Sequence, residues 1–187
     1  MKCKPIILIF SITVFNFNPV ILPSAYSGDF KENSWFSILE KNSELIGSGN
    51  LSFFGINLYK ASLFSSPNFD HKYPFKINFA LKIKYFKNFN KEKIANISKR
   101  EMSKLNTYKE KDLRVWHKWM AVEFPDISTN DVLTGVFSPT FGIKLFHNNN
   151  LIATSSDIEF AKAFFSIWLH KNTSEPVLRK KLLGLKN

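Results

Sequence analysis

The clearest pattern in the chain is an alternation between Phe75 and Tyr85, in which large apolar residues are separated by Lys, Asn or Ala. A period of two over this length predicts a β-strand with one buried face and one wet face. The wet face carries Lys76, Lys82 and Lys84, and we interpret this row as a solvated sheet surface rather than a binding stripe.

Shorter apolar runs between turn residues predict further strands. They lie at 51–54, 56–64, 132–137, 143–147 and 151–155. Asn148 and Asn149 suit a two-residue hairpin turn, because Asn tolerates positive φ better than other non-glycine residues. The glycines at 47–49 predict a bend, and the mixed segment 32–45 is interpreted as a strand with a short turn.

Apolar residues at helical spacing predict four helices. Asn90 caps the first, which runs to Leu105, and the second covers 113–124. Asp157 opens the third, which runs to His170, while Ser174, Glu175 and Pro176 start a last helix that Gly184 ends. Hairpin-linked strands and grouped helices predict an α+β fold, with an antiparallel sheet and helices packed on one face.

The first residues have the features of a secretory signal peptide. Lys2 and Lys4 precede an apolar stretch over 6–15, and small residues at Ala25 and Ser27 offer cleavage sites. We therefore predict a signal peptide over 1–25, with 27 as the alternative cleavage point, one domain over 28–187, and a periplasmic or secreted location. The apolar stretch is too short for a membrane anchor.

Charge and cysteine content narrow the function. The net charge is +11, and +9 without Lys2 and Lys4 (11 minus 2). We interpret this excess of lysine as solubility first and contact with an anionic membrane surface second. No nucleic-acid motif accompanies it, so nucleic acid is not an expected partner. Cys3, the only cysteine, lies in the predicted signal peptide, which suits an oxidising compartment.

Motifs of common enzyme classes are missing from the sequence. The four histidines have no partners at metal-ligand spacing, and there is no P-loop, dinucleotide fingerprint or nucleophile elbow. We therefore expect no metal and no cofactor. What remains is a phenylalanine-rich domain able to enclose an apolar pocket, with Tyr59 as a candidate to orient a ligand. The alternative for Tyr59 is a core residue whose hydroxyl meets a backbone carbonyl.

Three groups of residues together resemble the chalcone isomerase-like family, closest to its exported bacterial branch. They are Gly-x-Gly at 47–49 with Gly-x-x-x-Tyr-x-Ala-x-Leu at 55–63, Phe-Pro-Asp at 124–126 with Asp-Val-Leu-Thr-Gly at 131–135, and Phe-Ala-Lys-Ala-Phe-Phe-Ser-Ile-Trp-Leu at 160–169 with Ser-Glu-Pro-Val-Leu-Arg at 174–179. The resemblance implies an antiparallel open-faced β-sandwich with a cleft between sheet and helices.

In the plant enzymes of this family, an Arg on the opening strand holds the reacting phenolate, and a Thr and a Tyr position water. Other relatives hold a fatty acid in the cleft, with Arg and Tyr at its carboxylate. This sequence departs from that pattern, because Asn50 stands near the position of the Arg and the first Arg of the chain is Arg100. Tyr59 would align with the Thr.

The resemblance and the missing Arg favour a non-catalytic, exported protein that binds a small apolar or amphipathic ligand such as a fatty acid through Tyr59 and Asn50. One alternative is an isomerase or intramolecular lyase that uses Tyr59. A second is a structural or partner-binding domain whose cleft is filled by side chains. The sequence does not determine the oligomeric state.

Overall fold

The computed structural model describes residues 35–185, and the predicted signal peptide lies outside them. Its strands are β1 (Glu44–Phe53), β2 (Ile56–Ser65), β3 (Phe79–Tyr85), β4 (Val132–Ser138), β5 (Gly142–His147) and β6 (Asn150–Ser155). Its helices are α1 (Lys91–Lys104), α2 (Glu110–Glu123), α3 (Ile158–Leu169) and α4 (Pro176–Leu182). Short 3-10 helices cover Trp35–Ile38 and Pro74–Lys76.

All six strands form one sheet in the order β1-β2-β3-β4-β5-β6, each antiparallel to its neighbours. This simple meander confirms the predicted α+β class with an antiparallel sheet. The predicted turn at Asn148 and Asn149 joins β5 to β6, with φ values of 48° and 71°.

Local hydrogen bonds fix where the helices begin. The Asn90 side chain accepts the Lys93 amide at 2.8 Å at the start of α1. Asp157 accepts the Phe160 amide at 2.9 Å and also the Trp116 indole N–H at 2.9 Å, so it caps α3 and ties it to α2. A side chain that satisfies otherwise free N–H groups in this way stabilises a helix by about 1 kcal/mol.

Aromatic side chains fill the layer between the sheet and α3. Phe79 and Phe137 stack at 5.0 Å between ring centroids, and Phe165 of α3 meets Phe79 edge-on at 4.9 Å. A Cβ on Gly135 would lie 2.9 Å from the Phe165 ring, so this glycine lets the ring reach the sheet. Each such buried Phe contributes about 1.5–3 kcal/mol of burial free energy.

The predicted bend at 47–49 is wrong, because Gly47 and Gly49 lie inside β1. A Cβ on Gly47 would lie 2.1 Å from the Lys181 carbonyl oxygen, and one on Gly49 would lie 2.9 Å from Leu178 Cδ1. The two glycines are therefore explained by the close packing of α4 on β1, which local sequence does not show.

The outer face of the sheet is less open to water than predicted. Trp35, from a segment predicted as a strand, lies in a 3-10 helix and is only 1% exposed, packed with Phe64, Ala80 and Val136. The lysine row is accordingly split: Lys84 is exposed, whereas Lys82 is half-buried with its ammonium 5.9 Å from the Trp35 ring centre.

The predicted strand over 75–85 begins only at Phe79. Pro74 starts a 3-10 helix instead, since its fixed φ suits a first helical turn. Phe75 then packs against Phe137 at 5.2 Å between ring centroids. Its apolar character reflects this core contact rather than a strand position.

Candidate functional site

Tyr59 lies near the start of β2 on the face of the sheet that the helices cover. Its Cα partners are Leu51 on β1 and Tyr85 on β3. Ala61 and Leu63, which follow on the same face at the period of a strand, are fully buried. Tyr59 itself is part-buried and packs against the same core.

Two other residues complete what we call the tyrosine cluster, Tyr59, Tyr85 and Trp168. The Trp168 indole N–H of α3 donates a hydrogen bond to the Tyr59 hydroxyl at 2.9 Å. The Tyr85 ring meets the Tyr59 ring edge-on at 5.8 Å between centroids. The hydroxyl of Tyr59 therefore meets an indole rather than the backbone carbonyl considered from sequence.

Both phenols are held in their neutral form. Burial raises the pKa of Tyr59 well above its ordinary value, and the carboxylates of Glu175 and Glu101 raise it further, outweighing the opposing effect of the Trp168 hydrogen bond. Burial and the neighbouring Tyr59 raise the pKa of Tyr85 in the same direction. Neutral phenols can donate or accept hydrogen bonds, but they are poor proton acceptors.

Asn50 does not join the tyrosine cluster. It is exposed on β1, and its Cα partner on β2 is Lys60, the neighbour of Tyr59 along the chain. Because adjacent strand residues point to opposite faces, Asn50 and Lys60 lie on the outer face and Tyr59 on the inner face. The structure therefore separates the two residues that the sequence proposed as one site.

On the other side of α3 lies a cavity of about 680 Å³. We call it the cationic cavity. Its lining consists of five cationic side chains, two histidines and four apolar or aromatic residues: Lys72, Lys76, Lys162, Lys171, Arg179, His71, His170, Tyr73, Pro74, Phe75 and Leu169. This volume lies within the range of about 300–1,000 Å³ typical of small-molecule sites.

The tyrosine cluster and the cationic cavity lie against opposite faces of α3. Lys162 and Leu169, two turns apart on α3, line the cavity. Phe164 and Trp168 of the same helix contact Phe124 and Tyr59 instead. The remaining wall comes from the connection between β2 and β3, which Phe75 anchors to the core, and from α4.

Arg179 is the most constrained cation of the cavity. Its Nε donates to the Leu169 carbonyl oxygen at 2.8 Å, which fixes the guanidinium at the C-terminal end of α3. Burial lowers the pKa of Arg179 from its ordinary value, although the group stays charged. Within the described part of the chain it forms no ion pair. Such a charge has donors left for an anion.

The neighbouring groups add further donors. Burial, together with Lys171 and Arg179, lowers the pKa of His170, so its ring is neutral at pH 7. The Asn172 amide donates to His170 Nδ1 at 3.1 Å, which leaves the ring proton on Nε2 as a donor. Lys162 is already paired with Glu159 at 2.8 Å. The cavity is thus rich in donors and cations, with no carboxylate in its lining.

Neither region has the features of a metal centre. Among residues 35–185, no three His, Cys, Asp or Glu side chains come together as a metal site. The same part of the chain contains no helix with the length and apolar character needed to cross a membrane.

A meander sheet with helices on one face and polar groups buried beneath α3 defines the class of open-faced α+β sandwiches. The sequence profile of the chalcone isomerase-like family matches residues 28–184, and the chain belongs to that family. This confirms the family resemblance seen in the sequence, while its assignment to an exported bacterial branch stays a prediction.

One curated protein and one solved structure are similar to this chain. The chain is 35% identical over 91 residues to an uncharacterised protein of Haemophilus influenzae, a match that spans 49% of this chain and 43% of that protein. The crystal structure of a fatty-acid binding protein of Arabidopsis thaliana is similar, with a TM-score of 0.56 and 10% sequence identity over 78% of this chain and 88% of that chain. At that identity the likeness shows a shared fold.

Sequence reasoning missed Tyr85, Trp168 and the whole cationic cavity. Tyr85 carried a signal, since the alternation over 75–85 already placed it on a buried face. The sequence gives little indication of the cavity, because its lining comes from 71–76 and from 162–179, two distant segments that only the fold brings together.

Proposed function

We propose that this protein is an exported, non-catalytic binding protein for a small apolar or amphipathic ligand such as a fatty acid, whose anionic head enters the cationic cavity. The observation that supports this proposal most strongly is the set of residues that line the cavity. Lys72, Lys76, Lys171 and Arg179 supply cations, no carboxylate belongs to the lining, and Phe75 and Leu169 supply apolar wall. A carboxylate attached to an alkyl chain matches both parts.

The tyrosine cluster is the less favourable place for a carboxylate. The charged groups that raise the pKa of Tyr59 are the carboxylates of Glu175 and Glu101, so a ligand carboxylate placed there would face two groups of like charge. A ligand carboxylate would be repelled by them and attracted to the cavity. The Arabidopsis protein of the same fold, described as a fatty-acid binding protein, supports the ligand class.

The absence of catalysis is supported by the chemistry of β1 and β2. Neither strand contains an Arg, and the first Arg of the chain is Arg100 on α1. A fixed cation at a developing oxyanion commonly contributes a factor of about a hundred or more in rate. The raised pKa values of Tyr59 and Tyr85 also disfavour a phenolate base, which weakens the isomerase or lyase alternative.

Export is supported by the sequence of the first 27 residues and by a mature chain without cysteine. Charge distribution supports contact with an anionic membrane surface in that compartment. Between Leu45 and Lys91 the chain has six lysines and a single acidic residue, Asp70. Basic residues of this density near a surface attract anionic lipid.

One observation favours a second candidate, a partner-binding domain with a filled core. Phe79, Phe137 and Phe165 occupy the layer between sheet and α3, where the family cleft would lie. On this view no small ligand binds, and the protein acts through its surface.

Ligand extraction separates these candidates. The full chain is expressed with export, the secreted product is purified, and bound molecules are extracted with organic solvent and identified by mass spectrometry. Titration with dodecanoate follows. We expect a stoichiometric fatty acid and saturable binding of dodecanoate, whereas a blank in both measurements would favour the partner-binding domain.

Matched variants then locate the site. Arg179→Gln and Lys171→Gln should each weaken dodecanoate binding roughly tenfold, since each removes a charge-assisted contact. Lys180→Gln is the control, because Lys180 is exposed on α4 outside the cavity lining. Loss of binding in Tyr59→Phe, with Arg179→Gln unaffected, would move the site to the tyrosine cluster.

A further inference from the structure

The turn between β1 and β2 exposes an unusual group of apolar side chains. Phe53 is 63% exposed, Phe54 89% and Ile56 52%. Phe53 and Ile56 are Cα partners at the ends of the two strands, and the rings of Phe53 and Phe54 contact each other at 4.4 Å between centroids. We call this group the hairpin tip.

The backbone conformation of the hairpin tip does not favour an aromatic residue, so the stability of the fold does not explain why Phe54 is there. Phe54 and Gly55 form the two-residue turn, with φ values of 47° and 76°. Positive φ at both positions favours Asn, Asp or Gly, and a bulky aromatic residue there is strained. Phe54 makes the turn less stable and gains no burial in return.

The same protein contains a turn with the expected residues. The turn between β5 and β6 has Asn148 and Asn149 at φ values of 48° and 71°. Two turns of matching backbone conformation therefore differ in sequence, Asn-Asn at one and Phe-Gly at the other. The difference indicates that Phe54 serves something other than the turn.

Three lysines lie at the same end of the sheet as the hairpin tip. No acidic residue occurs between Leu45 and Phe69. Lys60 on β2 lies beside Lys84 on β3, and both are exposed on the outer face. The amide of Phe86 donates to the Leu58 carbonyl oxygen at 2.9 Å, which places the exposed Lys87 near the same end of the sheet.

We propose that the hairpin tip inserts into an anionic lipid bilayer, with Phe53, Phe54 and Ile56 entering the interface and the lysines contacting lipid headgroups. A projecting turn with so few apolar side chains is small compared with the roughly 800 Å² per partner of a stable protein interface, whereas aromatic residues flanked by cations suit a bilayer surface. This inference rests on the membrane contact proposed above and names the element that makes it.

Phe54→Asn is the decisive variant because folding and insertion predict opposite effects. It gives the turn a residue that tolerates positive φ, so we expect Tm to rise by about 2 °C. Its partitioning onto vesicles of phosphatidylglycerol mixed with phosphatidylcholine, measured by sedimentation, should fall about tenfold through loss of a buried Phe. Phe53→Ser should weaken partitioning similarly.

Leu151→Ser is the matched control, since Leu151 is 53% exposed on β6 at the other edge of the sheet. Partitioning of this control should equal that of the unmodified protein. If Phe54→Asn and Phe53→Ser leave binding to anionic vesicles unchanged, the insertion of the hairpin tip is overturned. The membrane contact would then be made by charge alone.

Two other results overturn the inference. If the unmodified protein does not bind anionic vesicles, both the membrane contact and the insertion fail. If sedimentation velocity shows a dimer that Phe54→Asn dissociates, the hairpin tip is covered by a second copy of the chain instead.

Discussion

The tyrosine cluster and the cationic cavity lie on opposite sides of α3 and differ in their polar groups. Two polar groups of the cluster are hydrogen-bonded to each other, whereas those of the cavity surround open space. In the cluster, Trp168 donates to Tyr59, and burial keeps Tyr59 and Tyr85 neutral. In the cavity, Arg179 and four lysines line open space of about 680 Å³. The cluster has the character of a structural core contact, and the cavity that of a binding site.

The comparison shows why residue type alone is a weak guide to a site in this fold. Tyr59 was singled out from sequence because a hydroxyl in an apolar strand suits ligand orientation. Its hydroxyl is instead bonded within the protein, whereas Lys76, Lys171 and Arg179 of the cavity form no ion pair within residues 35–185. Unsatisfied charge beside a cavity is the stronger physical indication of a ligand.

The largest expected effect tests the structural role of the cluster. Trp168→Ala removes a buried indole and leaves the Tyr59 hydroxyl without its donor, so the free energy of unfolding should fall by about 3–5 kcal/mol. Urea denaturation measures this change. Trp168→Phe keeps most of the packing and should lose clearly less. A loss below about 1 kcal/mol for Trp168→Ala would remove the basis for calling the cluster structural.

A smaller effect is expected for the hydroxyl itself. Tyr59→Phe leaves the Trp168 N–H without an acceptor, which should cost about 1–2 kcal/mol of unfolding free energy. Tyr73→Phe, at a residue 58% exposed, is the control and should be close to neutral. If Tyr59→Phe were as neutral as the control while abolishing ligand binding, the roles of the two regions would be reversed.

The third prediction concerns the stability of the folded protein at alkaline pH. The folded protein holds the protons of Tyr59 and Tyr85 above their ordinary pKa, whereas the unfolded chain releases them near pH 10. The stability that these groups contribute is therefore present below about pH 10 and lost as pH rises further, by up to about 1.4 kcal/mol per pH unit for each group. Denaturation of Tyr85→Phe between pH 9 and about pH 11 should show a shallower decline than the unmodified protein.

The smallest expected effect is that of ionic strength, which should change ligand binding in the cavity but not the stability contributed by the cluster. Dodecanoate binding in the cavity should weaken several-fold between about 0.05 M and 0.5 M salt, because partly exposed cations are screened. The stability difference between Tyr59→Phe and the unmodified protein, measured in the same buffers, should not change. Dodecanoate binding that ignores salt would place the ligand away from the cavity.

The sequence predicted local features well where short-range chemistry decides them. Asn90 and Asp157 cap helices as expected, and Asn148 with Asn149 forms the expected hairpin turn. Predictions failed where distant elements decide. The sequence predicts a bend at Gly47 and Gly49, but they lie within a strand and allow α4 to pack closely against it.

Local patterns and motifs in the sequence are enough to predict the order of strands and helices, the antiparallel sheet with helices on one face, and the family. The element order and the sheet follow from periodicity, caps and turn residues, which act over a few neighbouring positions, whereas the family follows from the resemblance of three groups of residues. Three features instead depend on the packing of distant segments: Asn50 and Tyr59 face opposite sides of the sheet, Trp168 donates to Tyr59, and Lys76 and Arg179 line one cavity. Those contacts join residues far apart in the chain, and their geometry depends on how the helices pack across the sheet.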